Sequence, residues 1–261
     1  MDALRTAATG MAAQQTRVDV IANNVANMST TAYAPRSVVF ADLIYRNEVA
    51  PGAISSTTGT IVPTGVQLGL GVQTAAVSMD MKQGTLRETG NDLDLAISGN
   101  GFFEIVLPSG ERGFTRDGKF ELSPDGEMVT TAGYPLIDGV VIPQDARLVE
   151  ISPDGEVFAY FADAVDGQAI GNITLVNFVN PKGLEAIGGN LYRETASSGQ
   201  PQTGQPGLLG LGLLEQGYLE ESGVDVVSEI ADLIEAQRGY ELNSKVLSAA
   251  DEMYASATRI R

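Results

Sequence analysis

Long apolar stripes at the two ends of the chain constrain the fold more than any other feature of the sequence. One runs from Asp2 to about Asn27 and the other from Val224 to about Ile260. In both, apolar residues recur at steps of three and four, the spacing of one helix face. At about 1.5 Å per residue the second helix would be roughly 50 Å long, which exceeds an ordinary globular element. Neither helix can bury its stripe alone, so the sequence predicts that the two ends pair with each other.

The chain between these helices has the pattern of β structure. Short alternating segments broken by turn residues fill residues 99–130, which is typical of antiparallel strands. The sequence Ser-Pro-Asp-Gly-Glu occurs at 123–127 and again at 152–156. Proline presets φ at the first central position of a turn and glycine supplies a positive φ after it, so both copies predict hairpin turns. The predicted fold is α+β: paired, coiled-coil-like long helices from the two termini enclose an inserted, mainly antiparallel β domain.

Two polar stretches rich in Gly, Ser, Thr and Pro, at 47–71 and 195–212, indicate the boundaries of the β domain. We therefore expect three parts. Residues 1–30 and 222–261 form a terminal helical domain. Residues 31–90 and 191–221 form an extended linker and β-hairpin region, and residues 91–190 form a β-rich domain.

Three asparagines, Asn23, Asn24 and Asn27, crowd the last turns of the first helix, although asparagine is a poor residue for a helix interior. Their spacing places the amides on adjoining faces, while the apolar stripe holds another face. Amides can hydrogen-bond inside an interface without the desolvation cost of charges. We therefore predict that they pack between chains. An ordinary two-helix core within one chain is the alternative.

The residues on which most catalytic and metal sites depend are missing. The chain has no Cys and no His, which removes thiolate nucleophiles, Ser-His-Asp triads and the usual zinc and haem ligands. Asp-Gly pairs at 117, 125 and 154 lack the alternating ligands of a calcium loop, so hairpin turns explain them better. We expect no catalytic residue, no metal and no cofactor.

Charge and hydropathy exclude two further classes of ligand. Sixteen Lys and Arg stand against 33 Asp and Glu, a formal net charge of −17, whereas nucleic acids and anionic membranes select basic patches. The N-terminal residues lack the apolar segment of a cleavable secretory signal, and no run of about twenty apolar residues would span a membrane. We expect no nucleic-acid partner, no direct membrane insertion and, for a chain that leaves the cytoplasm, another export route.

Three separated motifs resemble one family. IANNVANMST, at 21–30, is similar to the N-terminal signature of bacterial flagellar rod and hook proteins, whose hallmark is A-N-N-(L/V)-A-N. DLDLAISGNGFFEI and FTRDGKFELSPDGEMVTTAGYPL in the middle, and VSEIADLIEAQRGYELNSKVLSAADEM near the C-terminus, resemble the same family in the same order. The similarity covers essentially the whole chain. Its length and the extra stretch at 47–71 are most like those of the distal rod members.

The resemblance implies a structural subunit of the flagellar distal rod and not an enzyme. Such subunits self-assemble into a rigid helical tube that transmits motor torque through the periplasm to the hook and provides an export channel. The terminal helices would line the inner tube and the β domain the outer one. The implied partners are further copies of the chain, proximal rod proteins, the hook protein with the hook–rod junction, and the P- and L-ring proteins as a bushing. Export would use the flagellar type III system without a cleaved signal peptide.

The stripe residues and the asparagines are the candidate assembly residues. They are Leu4, Met11, Val18, Ile21, Asn23, Asn24, Val25, Asn27, Val226, Ile230, Leu233, Gln237, Tyr240, Leu247 and Tyr254. The stretch at 47–71 is a candidate projecting hairpin that stiffens the rod, through Pro51, Gly52, Ile54, Ile61 and Pro63.

The chain departs from the family pattern just after the first helix. Ala32 stands where the family usually has Gly, and Ala34-Pro35 stand where a Lys is common. If the backbone at position 32 takes a positive φ, alanine will be strained there.

Other functions remain open at this point. A proximal rod or hook subunit of the same family is the near alternative, with the same physics at another position along the axis. A secreted β-rich enzyme or adhesin with a helical stalk is the remote one, and it leaves the apolar stripes at both ends unexplained.

Overall fold

The computed structural model describes residues 2–49, 64–161 and 167–259. Its long helices are α1, Asp2–Ala26, and α2, Val226–Arg259. The strands in the described ranges are β1 Arg36–Asp42, β2 Tyr45–Val49, β3 Val66–Gly69, β4 Val72–Met79, β5 Leu86–Glu88, β6 Leu95–Ser98, β7 Phe102–Val106, β8 Arg112–Thr115, β9 Phe120–Leu122, β10 Met128–Thr130, β11 Ala146–Ile151, β12 Glu156–Phe161, β13 Gln168–Asn172, β14 Leu175–Asn177, β15 Glu185–Gly188, β16 Leu191–Arg193, β17 Gln202–Gly204, β18 Leu213–Gln216 and β19 Tyr218–Glu220. A short 3₁₀ turn covers Pro181–Gly183. The prediction of an α+β fold is confirmed.

Contacts divide the chain into two compact units. The first unit comprises Met1–Ala26, Arg36–Met79 and Asp225–Arg261, and the second comprises Asn27–Pro35 and Asp80–Val224. The three-part division of the sequence analysis stays a prediction.

The first unit combines the two helices with two antiparallel strand pairs. α1 packs against α2 and also against β1 and β4. β1 pairs with β4 from Arg36↔Met79 to Asp42↔Val72, and β2 pairs with β3. α2 begins after Asp225, whose Oδ1 accepts the backbone N–H of Val227 at 3.1 Å. This carboxylate satisfies an N–H that the helix itself leaves unpaired, so it acts as an N-cap.

The second unit is built on a six-stranded sheet in the order β15-β16-β8-β7-β14-β17. Its central strand β7 is an almost continuous apolar run, which is typical of a strand covered on both faces. On one face Phe103 and Ile105 join the main core, where Phe103 packs edge-on against Phe120 at 5.1 Å between ring centroids. The alternate residue Phe102 packs edge-to-face against Phe178 and Tyr192, with 5.8 and 5.9 Å between ring centroids.

Both predicted Ser-Pro-Asp-Gly-Glu turns are confirmed as hairpins. The first joins β9 to β10 and the second joins β11 to β12, with φ of 85° at Gly126 and 92° at Gly155. Each glycine carbonyl accepts a backbone N–H from an isoleucine further along the chain, Ile142 or Ile173, at 2.7 Å. Both isoleucines belong to the core. The two copies of the repeated sequence therefore connect their hairpins to the core through equivalent hydrogen bonds.

Ala32 has φ of 52°, so the strain expected from its departure from the family pattern is present. Left-handed backbone costs an alanine roughly 1–2 kcal/mol relative to glycine. The conformation is held by a hydrogen bond from the Ala32 N–H to the Glu220 carbonyl at 2.9 Å and by burial of the methyl group.

A buried carboxylate lies in the central strand of the sheet. Glu104 of β7 is opposite Phe114 of β8, and its Oε1 is 3.2 Å from Arg112 Nη1. Arg112 is 60% exposed, so solvent screens this ion pair. Burial raises the pKa of the Glu104 carboxyl above its ordinary value, Arg112 opposes this, and Asp138 and Glu194 add to it. The ionised form is therefore less favourable in the folded chain than in the unfolded one.

This raised pKa predicts the pH dependence of stability. Above pH 4.5 the folded chain binds a proton at Glu104 more readily than the unfolded chain does, so the free energy of unfolding should fall as pH rises through the folded-state pKa. In Glu104→Gln we expect a higher free energy of unfolding at pH 7 and a weaker pH dependence above pH 4.5. Urea titrations of both proteins over this range measure the difference. A less stable Glu104→Gln at pH 7 would mean that the pair with Arg112 outweighs burial.

Neither helix in the described ranges has both the length and the apolar character that a membrane crossing requires.

Candidate assembly interface

Two glycines allow the terminal helices to approach each other closely. A Cβ on Gly10 would lie 2.9 Å from Asn243 Nδ2, and a Cβ on Gly239 would lie 3.2 Å from Gln14 Cδ. Residue 10 of α1 thus lies at residue 243 of α2, and residue 14 of α1 lies at residue 239 of α2. The residue numbers run in opposite directions, so the helices are antiparallel. On each helix a glycine leaves the space that an amide side chain of the other helix occupies.

Sequence reasoning missed this contact because it followed large apolar residues. Gly10 and Gln14 lie on the same face of α1 as the buried residues Ala7 and Ile21. Ala7 is three residues before Gly10, and Ile21 is seven residues after Gln14. On α2 the buried positions Ala236 and Ala250 lie on the same face as Gly239 and Asn243. The signal in the sequence was therefore small residues at helical spacing.

Arg17 adds a charged contact between the helices. Its Nη2 lies 3.0 Å from Asp232 Oδ1 and 3.2 Å from Glu235 Oε2. Both carboxylates are largely exposed, so these ion pairs contribute to the register of the helices more than to stability.

Asn24, one of the three clustered asparagines, forms hydrogen bonds within its own chain. Its Nδ2 donates to the Arg36 carbonyl at 2.8 Å and to Glu229 Oε1 at 2.9 Å, while its Oδ1 accepts the Arg36 N–H at 2.9 Å. This buried amide joins the end of α1 to the start of β1 and to the first turns of α2. Burial raises the pKa of Glu229, which the hydrogen bond from Asn24 partly offsets.

The predicted assembly residues differ in exposure within the single chain. Buried are Ile21 and Asn24; half-buried are Leu4, Met11, Val18, Val25, Asn27, Val226, Leu233 and Leu247; exposed are Asn23, Ile230, Gln237, Tyr240 and Tyr254. The bonds of Asn24 lie inside one chain, whereas a role of these residues between copies stays a prediction. The proposed stiffening residues Pro51, Gly52, Ile54, Ile61 and Pro63 lie outside the described residues.

α2 also exposes apolar residues that the predicted stripe did not include. They are Val227, Ile234, Leu242, Val246 and Met253. Val227 and Ile234 lie with the exposed Ile230 at steps of three and four on the side of the helix away from Gly239 and Asn243, which leaves a second apolar face uncovered in the single chain. Leu242, Val246 and Met253 lie beside the contact with α1. Contiguous uncovered apolar faces mark protein–protein contacts in soluble proteins.

Three family models match the chain in separate places. The family described as flagella basal body rod protein matches residues 4–33, the flagellar hook protein FlgE/F/G D1 domain matches residues 96–159, and the flagellar basal body rod FlgEFG protein C-terminal family matches residues 215–260. The first of these contains most of α1, and the last contains all of α2.

Curated relatives are similar over the whole chain. The flagellar basal-body rod protein FlgG of Caulobacter vibrioides is 49% identical, with 100% of both chains covered. FlgG of Agrobacterium fabrum is 47% identical, with 97% of both covered. The flagellar basal-body rod protein FlgF of Caulobacter vibrioides is 35% identical, with 95% of this chain and 94% of that one covered.

A solved structure, the hook protein FlgE2 of Helicobacter pylori, aligns with 71% of this chain and 43% of its own at 17% identity. The TM-score of 0.26 is too low to support an argument from that structure.

Proposed function

The chain belongs to the flagellar basal-body rod protein family and is a structural, non-enzymatic subunit of the distal rod, and we propose that its copies assemble through the terminal helices into a helical tube. The observation that carries this proposal is the second apolar face of α2. Val227, Ile230 and Ile234 are exposed in the single chain, although α2 already has α1 as a neighbour. A further helix from another copy would bury them.

The geometry of such a contact determines the kind of assembly. A face of α2 that binds a different face on the next copy does not close into a dimer, because the two surfaces are not the same patch. Repetition of the contact gives an open helix, and repetition in several directions gives a tube. Contacts between helices and between β domains of neighbouring copies then supply the stiffness that torque transmission requires.

Two finer features belong to the same proposal. The antiparallel helices form a coiled-coil-like pair, which the close Gly10–Asn243 and Gly239–Gln14 contacts support. The strands between the helices in sequence form an inserted β domain. Its antiparallel sheets and separate core support that assignment.

Partners and location follow from the position of a distal rod subunit. We propose that the chain contacts proximal rod proteins at one end and the hook with its junction at the other, inside the P- and L-rings. The rod would span the periplasm. Its subunits would be exported by the flagellar type III system without a cleaved signal peptide.

Polymer formation by the purified chain tests the proposal. We expect filaments or tubes in negative-stain micrographs of concentrated wild-type protein. The Ile230→Asn variant should keep the fold of the single chain, because Ile230 is 48% exposed there. Ile230→Asn should raise the critical concentration about tenfold or more, because burial of one aliphatic side chain contributes about 1.5–3 kcal/mol.

The control is Glu241→Asn, which changes an exposed polar residue on the same helix and should leave the critical concentration near that of wild type. Monodisperse wild-type particles at every concentration would contradict assembly. Equal critical concentrations for Ile230→Asn and wild type would remove this face from the interface.

A further inference from the structure

The turn between β17 and β18 exposes two adjacent leucines. Leu208 is 57% exposed and Leu209 is 83% exposed. Leu209 has φ of 55°, a left-handed conformation that disfavours leucine and that glycine or asparagine adopts more easily. The fold gains little from leucine at this position, because the side chain is almost entirely in solvent.

The turn is firmly held although its tip is exposed. Gly207 donates to the Gly212 carbonyl at 2.9 Å, and Gly212 donates to the Asn100 carbonyl at 2.7 Å. Leu211, two residues after the tip, is buried in the main core. The two leucines therefore stand on a preorganised support, which reduces the entropy lost when such a surface docks.

The absence of charged residues around this turn favours a second copy of the acidic chain as its partner. No charged residue occurs from Thr195 to Leu214, whereas the whole chain carries a net charge of −17. Two acidic copies repel each other over most of their surface, and an uncharged segment is where they can come close. Beside the turn lies the carboxylate of Asp154, whose Oδ1 would be 3.9 Å from a Cβ on Gly207.

A groove in the same unit offers the matching surface. Its apolar lining includes Leu122, Ile142 and Leu148, and its volume is about 500 Å³, within the range of pockets that hold small-molecule ligands. Leu122 and Leu148 are almost half exposed. Arg147 also lines the groove, and among the described residues it has no ion-pair partner.

We propose that the Leu208–Leu209 turn of one copy docks into the Leu122–Leu148 groove of the next copy, with Asp154 of the first approaching Arg147 of the second. The inference rests on the proposed assembly of copies and names a contact within it. Because each copy carries both the turn and the groove, the contact is heterologous and propagates in one direction.

Cysteine cross-linking tests the contact directly, because the natural chain has no Cys to interfere. Leu209→Cys and Leu148→Cys chains are mixed, polymerised and oxidised. We expect a disulfide between copies, since the proposed contact brings the Cα atoms within about 7 Å. In the matched control, the Leu209→Cys chain is mixed with a Val179→Cys chain instead of the Leu148→Cys chain. Val179 is exposed and lies outside the groove, so no cross-link should form.

A charge swap tests the electrostatic part. Arg147→Asp should raise the critical concentration of polymerisation several-fold, and adding Asp154→Arg should restore it toward the wild-type value. Leu209→Asn should raise it about tenfold without lowering the melting temperature of the single chain, because asparagine tolerates the left-handed conformation.

The outcomes separate this contact from assembly itself. Polymers that form without the 209–148 cross-link, or a Leu209→Asn chain that polymerises like wild type, would overturn the docking contact and leave the assembly proposal intact. A Leu209→Asn chain that melts early would show that the leucine serves the fold and would also overturn it. A wild-type chain that never polymerises would overturn both proposals.

Discussion

Gly118→Ala is expected to lower the free energy of unfolding by about 4 kcal/mol or more, the range that marks a specific structural conflict. A Cβ on Gly118 would overlap the backbone carbonyl oxygen of Leu95. The Leu95 backbone cannot move away easily, because its N–H donates to the Gly118 carbonyl at 2.9 Å and its side chain is fully buried in the core. Urea denaturation of the variant, followed by circular dichroism in the β region, measures the loss.

The matched control is Gly133→Ala. Gly133 has φ of 84°, and a Cβ there would meet nothing within 4 Å. We expect it to cost only the left-handed strain of alanine, roughly 1–2 kcal/mol. If Gly118→Ala costs no more than Gly133→Ala, the close approach of Gly118 to Leu95 does not constrain the fold.

Arg116→Met is expected to lower the free energy of unfolding by about 3–5 kcal/mol, because it leaves a buried carboxylate without its partner. Arg116 Nε donates to Glu220 Oε2 at 2.9 Å, and the side chains are only 11% and 4% exposed. The remaining polar atoms are also paired: Glu220 Oε1 accepts the Gly84 N–H, and Arg116 donates to the carbonyls of Gly99 and Gly101. The pair thus joins four chain segments, at positions 84, 99–101, 116 and 220, around one buried ion pair.

The neighbouring pair Arg87–Glu221 supplies the control. Its side chains are 60% and 47% exposed at a similar distance of 3.0 Å, so Arg87→Met should cost about 1 kcal/mol or less. The double variant with Arg116→Met and Glu220→Leu should lose less than the sum of the two single variants, because it leaves no unpaired buried charge. Additive losses in this cycle, measured by thermal and urea unfolding, would show that the two side chains do not interact.

Several local features could be predicted from the sequence because they depend on neighbouring residues. The two Ser-Pro-Asp-Gly-Glu turns were predicted correctly, since proline and glycine specify backbone angles within the turn itself. The terminal helices also begin and end close to the predicted residues. Strain at Ala32 could be anticipated for the same reason, because a positive φ is a property of one residue.

Packing between distant segments was not predictable in the same way. In the sequence Gly118 resembles any glycine of a turn, and its backbone does not require glycine through a positive φ, so nothing local predicts a larger cost of substitution there than at Gly133. Its importance comes from Leu95, which approaches it only after the strands have paired. Likewise, Arg116 and Glu220 are far apart in sequence, and neither residue indicates which opposite charge it will meet.

By itself, therefore, the sequence determined the order of helices and strands, the turns, the family and the absence of the usual catalytic side chains. Tertiary structure alone decided which helix faces meet, that Gly10 and Gly239 receive amides, and that Asn24 binds Arg36 and Glu229 within its own chain. The physical reason is the separation along the chain over which each kind of interaction acts. Backbone preferences act over a few residues, whereas burial and charge pairing depend on distances that exist only when remote parts of the chain have come together.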